Sequence, residues 1–129
     1  VRLLLDTHVL LWSALSPARI AAPCREEIED PDNEVFVSVV SAWEIAIKQS
    51  LGKLTLARPA ERWVPEVVRR SGFAWAPFGA ADALRVRALP WHHRDPFDRL
   101  LIAHAIEQGM TLATHDDAIT AYDVSVLRG

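Results

Sequence analysis

Residues 95–109 read "DPFDRLLIAHAIEQG", and this stretch frames the rest of the chain. Pro96 stands where a helix starts and Gly109 just beyond where it ends. Leu101, Ile102, Ala105 and Ile106 follow Asp98 at three, four, seven and eight residues, one face of a 3.6-residue spiral. Asp98 therefore heads the stripe expected to face the core, where an ionised carboxylate is costly unless something pairs with it. Asp95 as N-cap with Asp98 as a capping-box-like acid explains the same residues, so this helix alone leaves two readings open.

Outward from that helix, "TLAT" (111–114) and "VSVL" (124–127) read as short strands, and "AADALRVRALP" (80–90) as a helix preceded by a strand in "FAWAPF" (73–78). "PAERWVPEVVRRSG" (59–72) is a helix with an acidic first turn and an Arg-rich last turn, as the macrodipole favours. "SAWEIAIKQSLGKL" (41–54) is a helix with Ser41 as cap and Gly52 as stop. "EVFVSV" (34–39) is a strand. "SPARIAAPCREEIED" (16–30) reads as a helix opened by Ser16 and Pro17, and "HVLLWSALS" (8–16) as another. "VRLLL" (1–5) is an almost continuous apolar run, as in a strand covered on both faces. Strands alternating with helices predict an α/β domain, a three-layer α/β/α sandwich with a mainly parallel sheet of four to five strands.

With 129 residues, half of them hydrophobic and about a quarter charged, the chain is expected to form one domain over 1–129 with its own core. A lone cysteine, Cys24, excludes an internal disulfide and a Cys-based zinc cluster, and suits a reducing cytoplasmic setting. No apolar run is long enough for a membrane span, and no signal peptide is legible. The net charge of −3 neither suggests nor excludes a nucleic-acid partner.

Three further acids sit where Asp98 does, at element ends or on core-facing stripes. Glu44 lies among Val40, Ile47 and Leu51 at −4, +3 and +7. Asp6 ends the first strand, where side chains point into the crevice at the carboxyl edge of a parallel sheet. Asp116 follows "TLAT" in the same way, with Asp117 as its rival. Two bare carboxylates about 4 Å apart repel by roughly 4 kcal/mol at an effective dielectric near 20. Four oxygen-donor acids together call for a hard dication, Mg²⁺ or Mn²⁺, of the kind that also coordinates phosphate.

"LLLDTHVLLW", "SVVSAWEIAIK", "DPFDRLLIAHA" and "TLATHDD", in this order, resemble the signature segments of PIN-domain ribonucleases, and the whole chain resembles the VapC-type toxins of type II toxin–antitoxin pairs. The resemblance implies that Asp6, Glu44, Asp98 and Asp116 hold one or two Mg²⁺ or Mn²⁺ ions and carry catalysis. It implies that Thr7 and Thr114 supply hydroxyls close to the metal, and that Asp95 supports the ligands rather than joining them. His8 and His115 depart from the pattern, standing where Asn is frequent. Implied partners are an RNA substrate, an antitoxin lying in a groove, and a second copy of the chain as a homodimer. The expected products carry a 5′-phosphate and a 3′-hydroxyl.

Around the acids, "RVRALPWHHRDPFDR" concentrates Arg85, Arg87, Arg94 and Arg99; Arg94, Arg99 and Lys48 are the expected phosphate contacts, and Trp91 is placed to stack a base. Trp12 and Trp63 sit on helices that could face a partner. A histidine-ligated zinc site is disfavoured, because His92 and His93 are adjacent and His104 points away from Asp98. An aspartyl-nucleophile phosphatase wants an acid two residues after Asp6, where His8 stands. A structure-specific DNA nuclease and a non-catalytic PIN-fold binding module remain as alternatives.

Overall fold

A computed structural model describes residues 1–129. Five strands form one sheet: β1 (Arg2–Leu5), β2 (Glu34–Val37), β3 (Ala74–Trp75), β4 (Thr111–Thr114) and β5 (Val126–Arg128). Their order across the sheet is β3-β2-β1-β4-β5 and every pairing is parallel. Six helices cover it: α1 (Thr7–Leu15), α2 (Ala22–Glu29), α3 (Val39–Ser50), α4 (Ala60–Ser71), α5 (Ala80–Leu84) and α6 (Pro96–Gln108). The three-layer α/β/α arrangement expected from the alternation is the one found.

The two-residue period of the strands divides the core. Leu3, Leu5, Val35, Val37 and Ala113 point to one face, among Val9, Cys24, Ile45, Trp63 and Val64. Leu4, Phe36 and Leu112 point to the other, against Leu101, Ile102 and Ala105 of α6. Burial on both faces explains why "RLLL" lacks polar alternation. Cys24 is fully buried in the first cluster. Burial, with Asp6 and Glu27 nearby, pushes its thiol up to about 11, so this sulfur is a core group and not a nucleophile.

Several boundaries differ from the sequence expectation, each for a local reason. The stretch 16–30 is split into a 3-10 turn at Pro17–Arg19 and α2, since Pro23 cannot donate to the preceding turn and its ring would clash with it. Ser38, not Ser41, caps α3: its hydroxyl accepts from Val40 N at 3.1 Å, and the helix starts as β2 ends. The strand expected over 73–78 shrinks to two residues on the sheet edge, because Pro77 offers no N–H to a ladder. The helix expected over 80–90 is a five-residue α5 followed by a 3-10 turn at Arg85–Ala88. The end of α6 is as expected: Gly109 adopts φ +65, a left-handed cap that L side chains resist.

The topology makes one place special. After β1 the chain builds outward through β2 and β3, then returns by α6 to lay β4 on the other side of β1. The carboxyl ends of β1 and β4 therefore flank the switch point, where parallel sheets open a crevice. Asp6 and Asp116 follow those two ends.

Candidate metal and nucleic-acid site

Asp6 is 3 % exposed. Its backbone N–H donates to Ala113 O at 2.9 Å, which extends the β1–β4 pairing by one residue. Its carboxylate accepts from Val9 N at 2.7 Å and so caps α1. Burial pushes its pKa up, opposed by hydrogen bonds from Thr114 and Val9 and by the nearby His115 and His8. Capping gives one oxygen a permanent donor and fixes the carboxylate at the crevice.

Glu44 is buried in α3. Thr7 Oγ1 donates to its Oε1 at 2.7 Å and lies 3.0 Å from Ser41 Oγ. Lys48 Nζ donates to its Oε2 at 2.5 Å. That hydrogen bond is the leading reason the Lys48 ammonium is held above its usual pKa, although burial works against it; the charges of Glu44, Asp95 and Asp98 add to the effect. Thr7 thus joins the switch point to α3, and Lys48 already neutralises part of the pocket.

At the start of α6, Asp95 Oδ1 accepts from Phe97 N at 2.8 Å and Asp98 N at 3.3 Å. Asp95 is the cap, which frees Asp98 from capping and leaves its carboxylate toward the crevice. Asp98 is raised from 3.8 to about 7: burial is the largest cause, Asp95 the next, with Asp6 and Glu44 adding and His93 opposing. These influences put Asp6 and Glu44 within electrostatic reach of Asp98.

Asp116 caps the 3-10 turn Asp117–Ala121, accepting from Ala118 N at 2.9 Å. Burial would raise its pKa, but the Ala118 N–H and His93 outweigh it and hold it low. Its backbone N–H donates to Thr114 Oγ1 at 3.1 Å. Asp117 faces outward, exposed and paired with Arg128, so it is Asp116 that turns to the crevice.

The histidine that sequence reasoning set aside is central. His93 Nε2 lies 2.8 Å from Asp116 Oδ2 and 3.0 Å from Asp98 Oδ2, and ligand atoms of these three residues fall within 4.8 Å of one another. Asp95 N donates to His93 Nδ1 at 3.1 Å. An Nδ1 that accepts has no proton, so Nε2 carries it and donates to the two acids. His93 is in this arrangement a hydrogen-bond donor to the carboxylates, standing where a cation would. Its position was not legible because it lies in a loop, not on a helical face; the available signal was its place two residues before the Asp95 cap, which folds it over the first turn. His104 is a core residue between Ser38 Oγ at 3.0 Å and Pro77 O at 2.9 Å.

The expected phosphate contacts separate. Arg94 is exposed beside the acids. Arg99 is 4 % exposed, and this corrects its assignment as a substrate contact. Its terminal nitrogens donate to the carbonyls of Val86, Leu89, Pro90 and His93 and to the Tyr122 hydroxyl, at 2.8–3.3 Å. A buried guanidinium satisfied this way organises a loop and does not meet solvent.

The donor set suits a hard divalent cation: oxygen ligands, an excess of negative charge, and two carboxyls held above their ordinary pKa, Asp6 by burial and Asp98 by burial and like charge. Such a cation would be held by Asp6, Glu44, Asp98 and Asp116. The arrangement is an acidic cluster at the carboxyl edge of a parallel sheet.

A family model of the PIN domain matches residues 3–125. Ribonuclease VapC22 of Mycobacterium tuberculosis is 35% identical over 123 residues, which cover 92% of this chain and 90% of that protein. The chain belongs to the PIN-domain family and, within it, to the VapC type. Among solved structures, VapBC2 from Rickettsia felis bound to a DNA fragment from their promoter superposes with a TM-score of 0.74 at 15% identity, covering 99% of this chain and 98% of that one. VapBC-1 from nontypeable Haemophilus influenzae gives a TM-score of 0.67, also at 15% identity, over 99% and 98% of the two chains. At those identities the likeness is one of fold. No helix is long and apolar enough to cross a membrane.

Proposed function

We propose that the protein is a Mg²⁺- or Mn²⁺-dependent endoribonuclease, the toxin of a VapBC-type pair, acting in the cytoplasm as one PIN domain. The observation that supports this reading is the meeting of Asp98 and Asp116, from the start of α6 and the end of β4, around His93 at the sheet's switch point, with Asp6 and Glu44 near enough to push the Asp98 pKa up. Asp6, Glu44, Asp98 and Asp116 would hold the cation, Thr7 and Thr114 orient Glu44 and Asp6, and Asp95 secures the helix start that presents Asp98. A cation bound there would supply positive charge to the scissile phosphate and lower the pKa of a water. Hydrolysis would join a water oxygen to phosphorus as the bond to the 3′ oxygen breaks and that oxygen takes a proton, giving ends with a 5′-phosphate and a 3′-hydroxyl. Arg94 and Lys48 face the incoming backbone.

The partner reading has two supports. VapC22 is named a ribonuclease, and the structural neighbours are VapBC assemblies. The surface also offers faces to cover: an apolar groove of about 440 Å³ between α3 and α4, lined by Ala46, Val64, Pro65 and Trp75, and the exposed Trp43 on α3 with Leu51 just beyond its end. We assign the groove to an antitoxin segment and the exposed side of α3 to a second copy of the chain.

The test is cleavage of single-stranded RNA by the purified protein. Chelation is expected to abolish it, Mn²⁺ or Mg²⁺ to restore it, and the products to be substrates for a 5′-phosphate-dependent exonuclease. Cleavage that survives the chelator, or ends bearing cyclic phosphate, refutes the mechanism. Preference for a branched DNA over RNA in the same assay selects the structure-specific DNA nuclease instead.

A further inference from the structure

We propose that Trp91 is a nucleobase-stacking platform that seats a base of single-stranded RNA beside the acidic pocket; this rests on the ribonuclease reading and names how its substrate is held. Trp91 is 76 % exposed, the most exposed large aromatic side chain of the protein. Exposed tryptophan is unfavourable in water, yet this one is held in place. The Arg99 guanidinium carbon lies 3.7 Å from the centre of its ring, stacked from beneath. Arg99 is itself fixed by the loop carbonyls it binds, two of them on Pro90 and His93, the residues flanking Trp91 and His92. The ring is therefore preorganised with one face on a buried cation and the other open to solvent.

Its surroundings point to a nucleic acid. Arg87 and Arg94 are exposed on the same loop, and neither is engaged by an acid. Trp91 is two residues from His93, whose ring touches Asp98 and Asp116, so the Cα atoms of Trp91 and His93 are at most about 7 Å apart. A base on the open face of Trp91 places its own phosphates near Arg87 and Arg94 and the next phosphodiester toward the acids. A basic peptide seeking the same acids would meet repulsion from those two guanidiniums. Stacking on an indole is tolerant of base identity, so this subsite supplies affinity and register more than sequence choice.

The experiment measures binding of a short fluorescein-labelled oligouridylate in chelator, by anisotropy, for the wild type and for Trp91→Ala, Trp91→Phe and Leu15→Ala. Trp91→Ala is expected to weaken binding roughly tenfold or more, Trp91→Phe to retain most of the affinity, and Leu15→Ala, an exposed apolar residue at the end of α1, to change nothing. An oligonucleotide carrying 2-aminopurine is expected to be quenched by the wild type and not by Trp91→Ala. Unchanged affinity in Trp91→Ala overturns the proposal, as does an equal loss in Leu15→Ala. Loss of cognate antitoxin capture with RNA binding intact also overturns it and gives the face to a protein. A wild type that binds and cleaves no RNA brings down the ribonuclease reading itself, which the variants do not test.

Discussion

Asp98→Asn is expected to abolish RNA cleavage and, in metal-free buffer above neutrality, to make the protein more stable than its parent. The first effect follows, on the proposed function, from removing one of the acids that would hold the cation; a loss of a hundredfold or more is the ordinary scale for disturbing a metal's immediate surroundings. The second follows from linkage. The Asp98 pKa rises from 3.8 to about 7 on folding because of burial and the neighbouring Asp95, Asp6 and Glu44. Between those two values the folded state binds more protons than the unfolded one, so stability falls as pH rises from about 4 to about 7 and stays lowered above that. The full displacement corresponds to about 4 kcal/mol, and partial exposure of the carboxyl brings this to the order of 2 kcal/mol. Asparagine removes the titration while keeping an oxygen for the His93 proton. Added Mn²⁺ is expected to raise the melting temperature of the wild type and to do so much less for the variant. Thermal melts at pH 5 and pH 8, with and without Mn²⁺, check all of this. A variant that melts below the wild type at pH 8 would show that the Asp98 charge is not under strain.

How much of this was legible in the sequence depends on distance along the chain. The acids were visible because each is tied to a local signal: Asp6 and Asp116 to strand ends, Asp98 to a helix start, Glu44 to the period of an apolar stripe. The parallel sheet and the crevice at its carboxyl edge followed from strand–helix alternation, since parallel strands need crossovers, but the order that lays β4 beside β1 did not. What was not visible depends on partners far away. Ser38 and Ser41 are equally good caps by type, and only the end of β2 decides between them. Asp116 and Asp117 differ by one residue, and the choice rests on Ala118 and on Arg128 drawing Asp117 outward. His93 reaches the acids because its loop is anchored to Tyr122, whose hydroxyl accepts from His93 N at 2.9 Å across a separation of 29 residues. No periodicity encodes such a contact.

Arg99 shows the same limit and carries the second large effect. By sequence it was a cation next to a catalytic acid, and therefore a phosphate contact. Folded, it ties the loop of residues 86–93 to α6 through four carbonyls and a hydroxyl, with Trp91 stacked on its outer side. Arg99→Met fills much of the same volume but leaves those acceptors without donors. Unpaired buried polar groups cost about 1–3 kcal/mol each, and water will reach those near the surface, so a net loss of about 3 kcal/mol is expected. In a chain of this size that is a fall of roughly 10 °C in melting temperature. Arg99→Lys is expected to recover little of it, because an ammonium cannot span carbonyls set around a planar fork or lie flat on an indole. The loop should loosen in both variants, so that amide exchange at residues 86–93 quickens more than in the sheet. His93 rides on this loop, and its release from Asp98 and Asp116 couples loop stability to the charge state of the pocket. A protein in which Arg99→Met melts like the wild type, with unaltered exchange in the loop, would mean that these hydrogen bonds do not hold the rim, and that the guanidinium is free to serve the substrate after all.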